Sequence, residues 1–317
     1  MKKHAYIQPK KGNFFTRNTL YILIYIFLFL FGLFIIFTLA FGLITSLRDP
    51  EAYNLKPMGF IDFTSPYFYQ FSNYGTVVNH FEYYAVESFY SNGVLIDHDN
   101  GIVGIGGMIL NTILYAGGGA IILAVMPALV AYLCAKYPYK WSKVMFVVYL
   151  VIMCVPIVGN YPSEVTFLRN TLLYDEIWGN YIQKMGGAGM YFFVFYAFFK
   201  GLPDTYREAA EIDGASDLKI MVRVYFPLAI KIISTVFLIQ LVALWNDFST
   251  PYLYLKSHPT LSFGVYYIAF DPSGNPDLQS APVKLASCML LALPILVIFV
   301  IFKDKLMGNL SLGGIKE

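Results

Sequence analysis

The residues of this chain able to do chemistry are few, and each group interrupts apolar sequence. The densest is "EAAEIDGAS" at 208–216, which carries Glu208, Glu211 and Asp213, with Asp217 just beyond. A second is "WNDF" at 245–248, where Asn246 and Asp247 stand inside an apolar run. Neither has the partners a catalytic site needs. The histidines His4, His80, His98 and His258 form no pair at ligand spacing, and no serine sits in an elbow pattern. A phosphate loop G-x-x-x-x-G-K-[ST] is missing. Gly104, Gly106 and Gly107, like Gly117–Gly119, run into apolar sequence without a lysine, so close helix packing explains them better than a nucleotide. "DHDNG" at 97–101 lacks the later oxygen ligands and the closing glutamate of a calcium loop. What remains open to these carboxylates and amides is non-covalent work: docking another protein, or polar contacts at membrane depth.

The elements that must position them are membrane spans. The 317 residues are 57% hydrophobic and 13% charged, against about a quarter charged in soluble domains. Mean hydropathy is +0.58. Cys134, Cys154 and Cys288 lie in apolar stretches and read as small buried hydrophobes. A net charge of +2 and the lack of a basic helix give no sign of nucleic acid. Residues 20–45 are too long for a signal-peptide core and read as an uncleaved span. Five more segments are expected to cross: 108–135, 143–161, 182–200, 229–254 and 281–302. Between the first two lies an exterior insert, 46–105, and the chain closes with a polar tail, 303–317.

Charge asymmetry orients them. Residues 1–19 hold Lys2, Lys3, Lys10, Lys11 and Arg17 and no acid, and "KYPYKWSK" at 136–143 holds three lysines and no acid. Residues 46–105 hold two basic residues against seven acids. Both termini and the loop 201–228 are therefore expected on the cytoplasmic side.

Within that loop the sequence predicts a helix, a turn and a second helix. Gly214 suits positive φ at the turn, Ser216 suits a helix cap, and Pro227 is expected to break the second helix before the fifth span. Leu218, Met221, Val222 and Tyr225 recur at helical spacing as an apolar stripe. Ala209, Ala210 and Ala215 keep the tip low in bulk, so another protein's backbone can approach.

"REAAEIDGAS" followed by Pro227 resembles the EAA loop of binding-protein-dependent ABC importer permeases, with Glu208, Ala209, Ala210, Asp213, Gly214, Ala215 and Pro227 matching it. "NTILYAG" at 111–117, "ALWNDFSTPYLYL" at 243–255 and "LSLGGIKE" at 310–317 resemble the carbohydrate-type, maltose-permease-like branch. Residues 46–105 and 155–170 depart from that pattern. The resemblance implies an all-α integral membrane protein of six transmembrane helices with the type I ABC importer permease fold, in the bacterial cytoplasmic membrane. It implies a non-catalytic subunit that works with a second homologous permease, two ATPase subunits and a lipid-anchored or periplasmic solute-binding protein to import a sugar or oligosaccharide. ATP and magnesium would be held by the ATPase, with no cofactor in this chain. The EAA loop would seat on the ATPase, and Gly313 and Gly314 would let the tail approach it.

Trp245, Asn246, Asp247 and Tyr252 are candidates for the translocation path. Counted from Ala229, Trp245 lies roughly 24 Å along a helix, which places Asn246 and Asp247 in the outer half of a hydrocarbon core about 30 Å thick. Either the aromatic stripe Trp245, Phe248 and Tyr252 stacks a sugar beside Asn246 and Asp247, or Asp247 ties two spans together or gates the outer mouth. A secondary carrier or channel using Asp247 as an ion site is the alternative reading.

Overall fold

The computed structural model describes residues 14–57, 70–91, 94–137, 139–155, 159, 161–186, 189–270 and 275–308. The chain starts with α1 (Phe14–Ser46), then two short helices, α2 (Pro50–Leu55) and α3 (Ser72–His80). An antiparallel hairpin follows, β1 (Glu82–Ser91) with β2 (Val94–Gly104), paired from Glu82 opposite Gly104 to Ser91 opposite Val94. Next come α4 (Ile105–Lys136), α5 (Lys140–Cys154), α6 (Tyr161–Asn170), α7 (Ile177–Met185) and α8 (Met190–Gly201). The chain closes with α9 (Thr205–Ile212), α10 (Asp217–Trp245), α11 (Ser249–Tyr254), α12 (Leu261–Phe270) and α13 (Ala281–Gly308).

Among the described residues, four stretches are long and apolar enough to cross a bilayer: Tyr21–Ser46, Ile105–Lys136, Asp217–Trp245 and Ala281–Phe302. The other expected crossings are altered. The segment 182–200 is two helices, because Gly186, Gly187 and Gly189 cluster where an unbroken helix would need good formers. The segment 143–161 is helical from Lys140 only to Cys154, ahead of Pro156. The segment 229–254 belongs to a helix that starts at Asp217 and stops at Trp245, with α11 separate. The all-α expectation is also amended by the hairpin in the 46–105 insert.

Packing follows side-chain size. Ala124, Ala128 and Ala131 form a fully buried small-residue stripe on α4. Phe192, Phe195 and Phe199 of α8, at spacings of three and four, fill against it and are equally buried. Small residues let helices approach where lipid offers no hydrophobic contrast. Tyr132 adds edge contacts to Phe199 at 5.5 Å and to Tyr137 at 5.9 Å. α10 packs on α4, and α13 packs on α1 and α3. By contrast α1 is exposed along almost its whole length, with Tyr25 at 71% and Phe29 at 69%.

The second helix expected within the loop 201–228 is instead the start of α10. Pro227 does not break it. Residues Met221–Tyr225 widen into a π turn immediately ahead of the proline, and the ring sits in the first turn of the α-helix that follows. A wide turn leaves room for a ring that would otherwise press on the carbonyl four residues back. That extra residue also rotates the faces. Ile220 and Tyr225 are buried, while Leu218 (68%) and Val222 (52%) face outward, so the expected four-residue stripe is split.

Candidate functional site

The polar loop between α8 and α10 is built as a rigid knob. α9 ends at Ile212, and Gly214 adopts φ +72° to reverse the chain. The Ala215 N–H donates to the Ala210 carbonyl at 2.9 Å and the Gly214 N–H to Glu211 at 3.0 Å, which closes the helix end. Ser216 occupies the cap position of α10 in extended backbone, but its hydroxyl makes no capping bond. Glu208, Ala209, Asp213 and Gly214 are exposed, whereas Ala210 and Ala215 pack inward on the α4–α8 core. Ile212, at 87% exposure, adds an apolar contact at the tip that the sequence reading did not single out.

A buried cation anchors this knob. Lys136, at the last turn of α4, donates to the Leu202 carbonyl at 2.6 Å and to Asp204 Oδ1 at 2.7 Å. The Lys136 ammonium holds the Asp204 carboxyl below the usual carboxylate range. Arg207 donates to Glu211 at 2.6 Å, and its guanidinium lies 5.0 Å over the Tyr137 ring. The Tyr137 hydroxyl donates to Asp217 at 2.7 Å. Thus α9 and the start of α10 are both tied to the end of α4.

The second polar group lies at the opposite end of α10. Asp247 sits one residue past the helix cap Asn246, in the turn before α11, rather than within a span. Its Oδ2 accepts from the Tyr115 hydroxyl of α4 at 2.7 Å. Its Oδ1 accepts from the Ser249 N–H, the Ser249 hydroxyl and the Thr250 N–H at 2.9–3.1 Å. The Lys184 ammonium of α7 reaches the Tyr115 hydroxyl at 3.4 Å. The lysine in this group was legible as an unusual charge between apolar residues of the 182–200 segment.

The aromatics once grouped with Asp247 part company. Trp245 is buried and donates to the Leu291 carbonyl of α13 at 3.1 Å. Phe248 stacks on Tyr266 at 4.3 Å, and Tyr252 meets Phe263 at 5.8 Å. Asn246 turns back to the Val242 carbonyl at 2.9 Å. Tyr252 also lines a cavity of about 700 Å³ between the hairpin, α6 and α11. Gly313 and Gly314 lie outside the described residues.

Next to that cavity the loop 171–176 is pinned from one carboxylate. Asp175, buried and at φ +63°, accepts from the Ser257 N–H at 2.8 Å and the Ser257 hydroxyl at 2.5 Å. His258 Nδ1 stands 4.0 Å from Asp175 Oδ1, an ion-pair distance. The Asp175 carboxylate raises the His258 pKa above its ordinary value, outweighing partial burial. A raised histidine pKa adds stability that is complete below about pH 6.5 and fades as pH passes the folded value. Proteolysis of this loop is therefore expected to quicken as pH rises above about 6.5 and through the raised folded value, and His258→Gln to remove that pH dependence.

Long apolar helices and one tethered polar knob give the chain a body able to cross a membrane and a single built polar projection. Residues 121–310 match the family described as the binding-protein-dependent transport system inner membrane component, and the chain belongs to it. It is 25% identical over 214 residues to the melibiose/raffinose/stachyose import permease MelC of Bacillus subtilis (strain 168), covering 67% of this chain and 76% of that one. It is 26% identical over 207 residues to the maltodextrin permease MdxG of the same organism, covering 65% and 74%. A bacterial ABC transporter involved in the import of the acidic polysaccharide alginate shares the fold, with TM-score 0.70 and 20% identity over 94% of this chain and 99% of that one. The protein is an inner-membrane component of an ABC transporter, and its relatives are permease subunits, which are non-catalytic.

Proposed function

We propose that this chain forms half of the translocation pathway of an ATP-driven sugar or oligosaccharide importer, coupled to its motor through residues 201–228. The observation that carries the reading is the knob at 204–217: an exposed tip of Glu208, Ala209, Asp213 and Gly214 on a base locked to α4 by Lys136 and Arg207. A motor docking there moves α4 and α10 together rather than bending a loop. The sugar class rests on the relatives, whose names are those of oligosaccharide permeases.

In this reading the chain crosses the bilayer six times with both termini in the cytoplasm, as the Lys/Arg asymmetry favours. α5 and the α7–α8 pair supply the two crossings beyond the four long helices. A second permease completes the pathway, two ATPase subunits bind ATP and magnesium, and a solute-binding protein delivers the sugar. The tail with Gly313 and Gly314 lies against the ATPase pair. The chain's own work is differential stabilisation of inward- and outward-facing states.

The test is uptake into proteoliposomes holding the whole complex. Sugar accumulation is expected only with internal ATP and external binding protein. Uptake driven by a proton gradient alone, without ATPase subunits, would overturn the reading in favour of a secondary carrier.

A further inference from the structure

The 700 Å³ cavity on the outward side has a chemistry that neither the coupling loop nor the Asp247 turn uses. Its volume falls within the range of about 300–1,000 Å³ common for small-molecule sites. Among the described residues five tyrosines line it: Tyr83 and Tyr84 from the hairpin, Tyr174, Tyr252 from α11 and Tyr267 from α12. Tyr83 is held by edge contacts to Phe263 at 4.9 Å and to Tyr267 at 5.1 Å, so its ring is preset. Such a wall offers apolar ring faces together with phenolic hydroxyls that donate and accept.

Two cations complete the lining, Arg169 of α6 and Lys256. The Arg169 guanidinium lies 4.7 Å over the Tyr174 ring, which fixes its plane. Its Nε is shielded from solvent and has no hydrogen-bond partner. Neither Arg169 nor Lys256 is paired with a carboxylate among the described residues. Among the described residues no acid lines the cavity. Asp175, close enough to act on Tyr83, has both carboxylate oxygens occupied by Ser257.

This placement runs against the local charge. The segments 46–105, 160–181 and 246–280 hold only four Lys and Arg residues: Arg48, Lys56, Arg169 and Lys256. Arg48 is engaged with the carbonyls of Lys56 and Pro57. Two of the remaining three thus converge on one tyrosine-lined cavity.

We propose that this cavity binds a sugar carrying a carboxylate, a uronate unit, with Arg169 and Lys256 receiving the carboxylate and the tyrosines receiving the ring and its hydroxyls. The proposal rests on the importer reading and sharpens it from sugars in general to acidic ones. The Tyr174 hydroxyl already donates to the Leu253 carbonyl at 3.2 Å. An acidic loop of the solute-binding protein would satisfy the two cations but leave the aromatic wall of Tyr83, Tyr84 and Tyr252 unused, so the observations favour the sugar.

The probe is digalacturonate, compared with its dimethyl ester, which keeps both rings and loses both charges. Binding to the complete complex in nanodiscs, without ATP or binding protein, is measured by calorimetry and saturation-transfer NMR. The acid is expected to bind at least about tenfold more tightly than the ester. Arg169→Gln and Lys256→Gln are each expected to lose about tenfold for the acid and little for the ester. Assembly of each variant with its partner subunits is checked by gel filtration. Equal binding of acid and ester, or no binding of either, overturns the proposal. So does a result in which the variants weaken only the docking of the binding protein. ATP-driven uptake is scored separately, so a failure of the importer reading appears there and not in the binding curves.

Discussion

Gly214→Asp is expected to abolish ATP-driven uptake while the chain still inserts and assembles. Gly214 holds φ +72° at the exposed reversal between α9 and α10, and a side chain added there would meet open space within this chain. The intramolecular penalty is therefore backbone strain alone, about 1 kcal/mol, too little to unfold the knob. What changes is the tip: a carboxylate is added beside Asp213 where a partner must approach. Ala209→Asp should act alike, because Ala209 is exposed. Ala210→Asp is the poorer probe, since Ala210 packs inward and its loss perturbs the core. Gly214→Asn separates strain from charge, because asparagine tolerates the same φ. Uptake and co-purification with the ATPase are measured side by side. Wild-type uptake by Gly214→Asp in a normally assembled complex would remove the coupling assignment.

Asp247→Ala is expected both to destabilise the complex and to loosen its control. The substitution strips an acceptor from two backbone N–H groups and from the Ser249 and Tyr115 hydroxyls. Leaving such donors unpaired in a half-buried turn costs on the order of 2–4 kcal/mol. A drop of several degrees in the melting temperature of the complex is expected, with raised ATPase activity in the absence of binding protein. Asp247→Asn keeps one acceptor oxygen and should be milder on both counts. Tyr115→Phe should reproduce the loss of control with less loss of stability, since it cuts the link from α4 to the α10–α11 turn and the longer contact from Lys184 but leaves the turn's own bonds to Asp247 in place. Unchanged melting and unchanged basal ATPase for Asp247→Ala would show that this link bears on neither.

How far the sequence could be read depended on the range of the forces involved. The helices of residues 21–46, 105–136 and 281–302 were legible because each is a continuous apolar run, a signal that needs no tertiary knowledge. The reversal at Gly214 was legible because only a residue without a side chain takes that φ freely. The hairpin was overlooked although Asn92-Gly93 between the segments 82–91 and 94–104 is a local hairpin signal. Tyrosine-rich composition masked its alternation. Pro227 misled because the rule that proline ends a helix assumes a regular turn before it, and Met221–Tyr225 is a wide one. The position of Asp247 went wrong with it: a helix begun at Asp217 instead of Ala229 reaches its end by Trp245. Arg169, Lys256 and the five tyrosines come from four separate stretches of chain, and no spacing within any one of them could have joined them.

The helix Asp217–Trp245 links the exposed knob to the Asp247 turn without interruption. Its 29 residues rise about 43 Å, which makes it a rod with a fulcrum wherever α4 grips it. Tilting a rod of that length by about 5° moves its far end by roughly 4 Å, the diameter of a water molecule and more. That displacement suffices to pull Asp247 out of reach of Tyr115, since their bond tolerates only a few tenths of an ångström. The π turn at Met221–Tyr225 is then the compliant joint near the driven end, where a small slip in register can absorb part of the stroke. In the proposed coupling, stiffness along this one helix, more than the strength of any contact at its tip, would set how much of a motor's movement reaches the Asp247 turn.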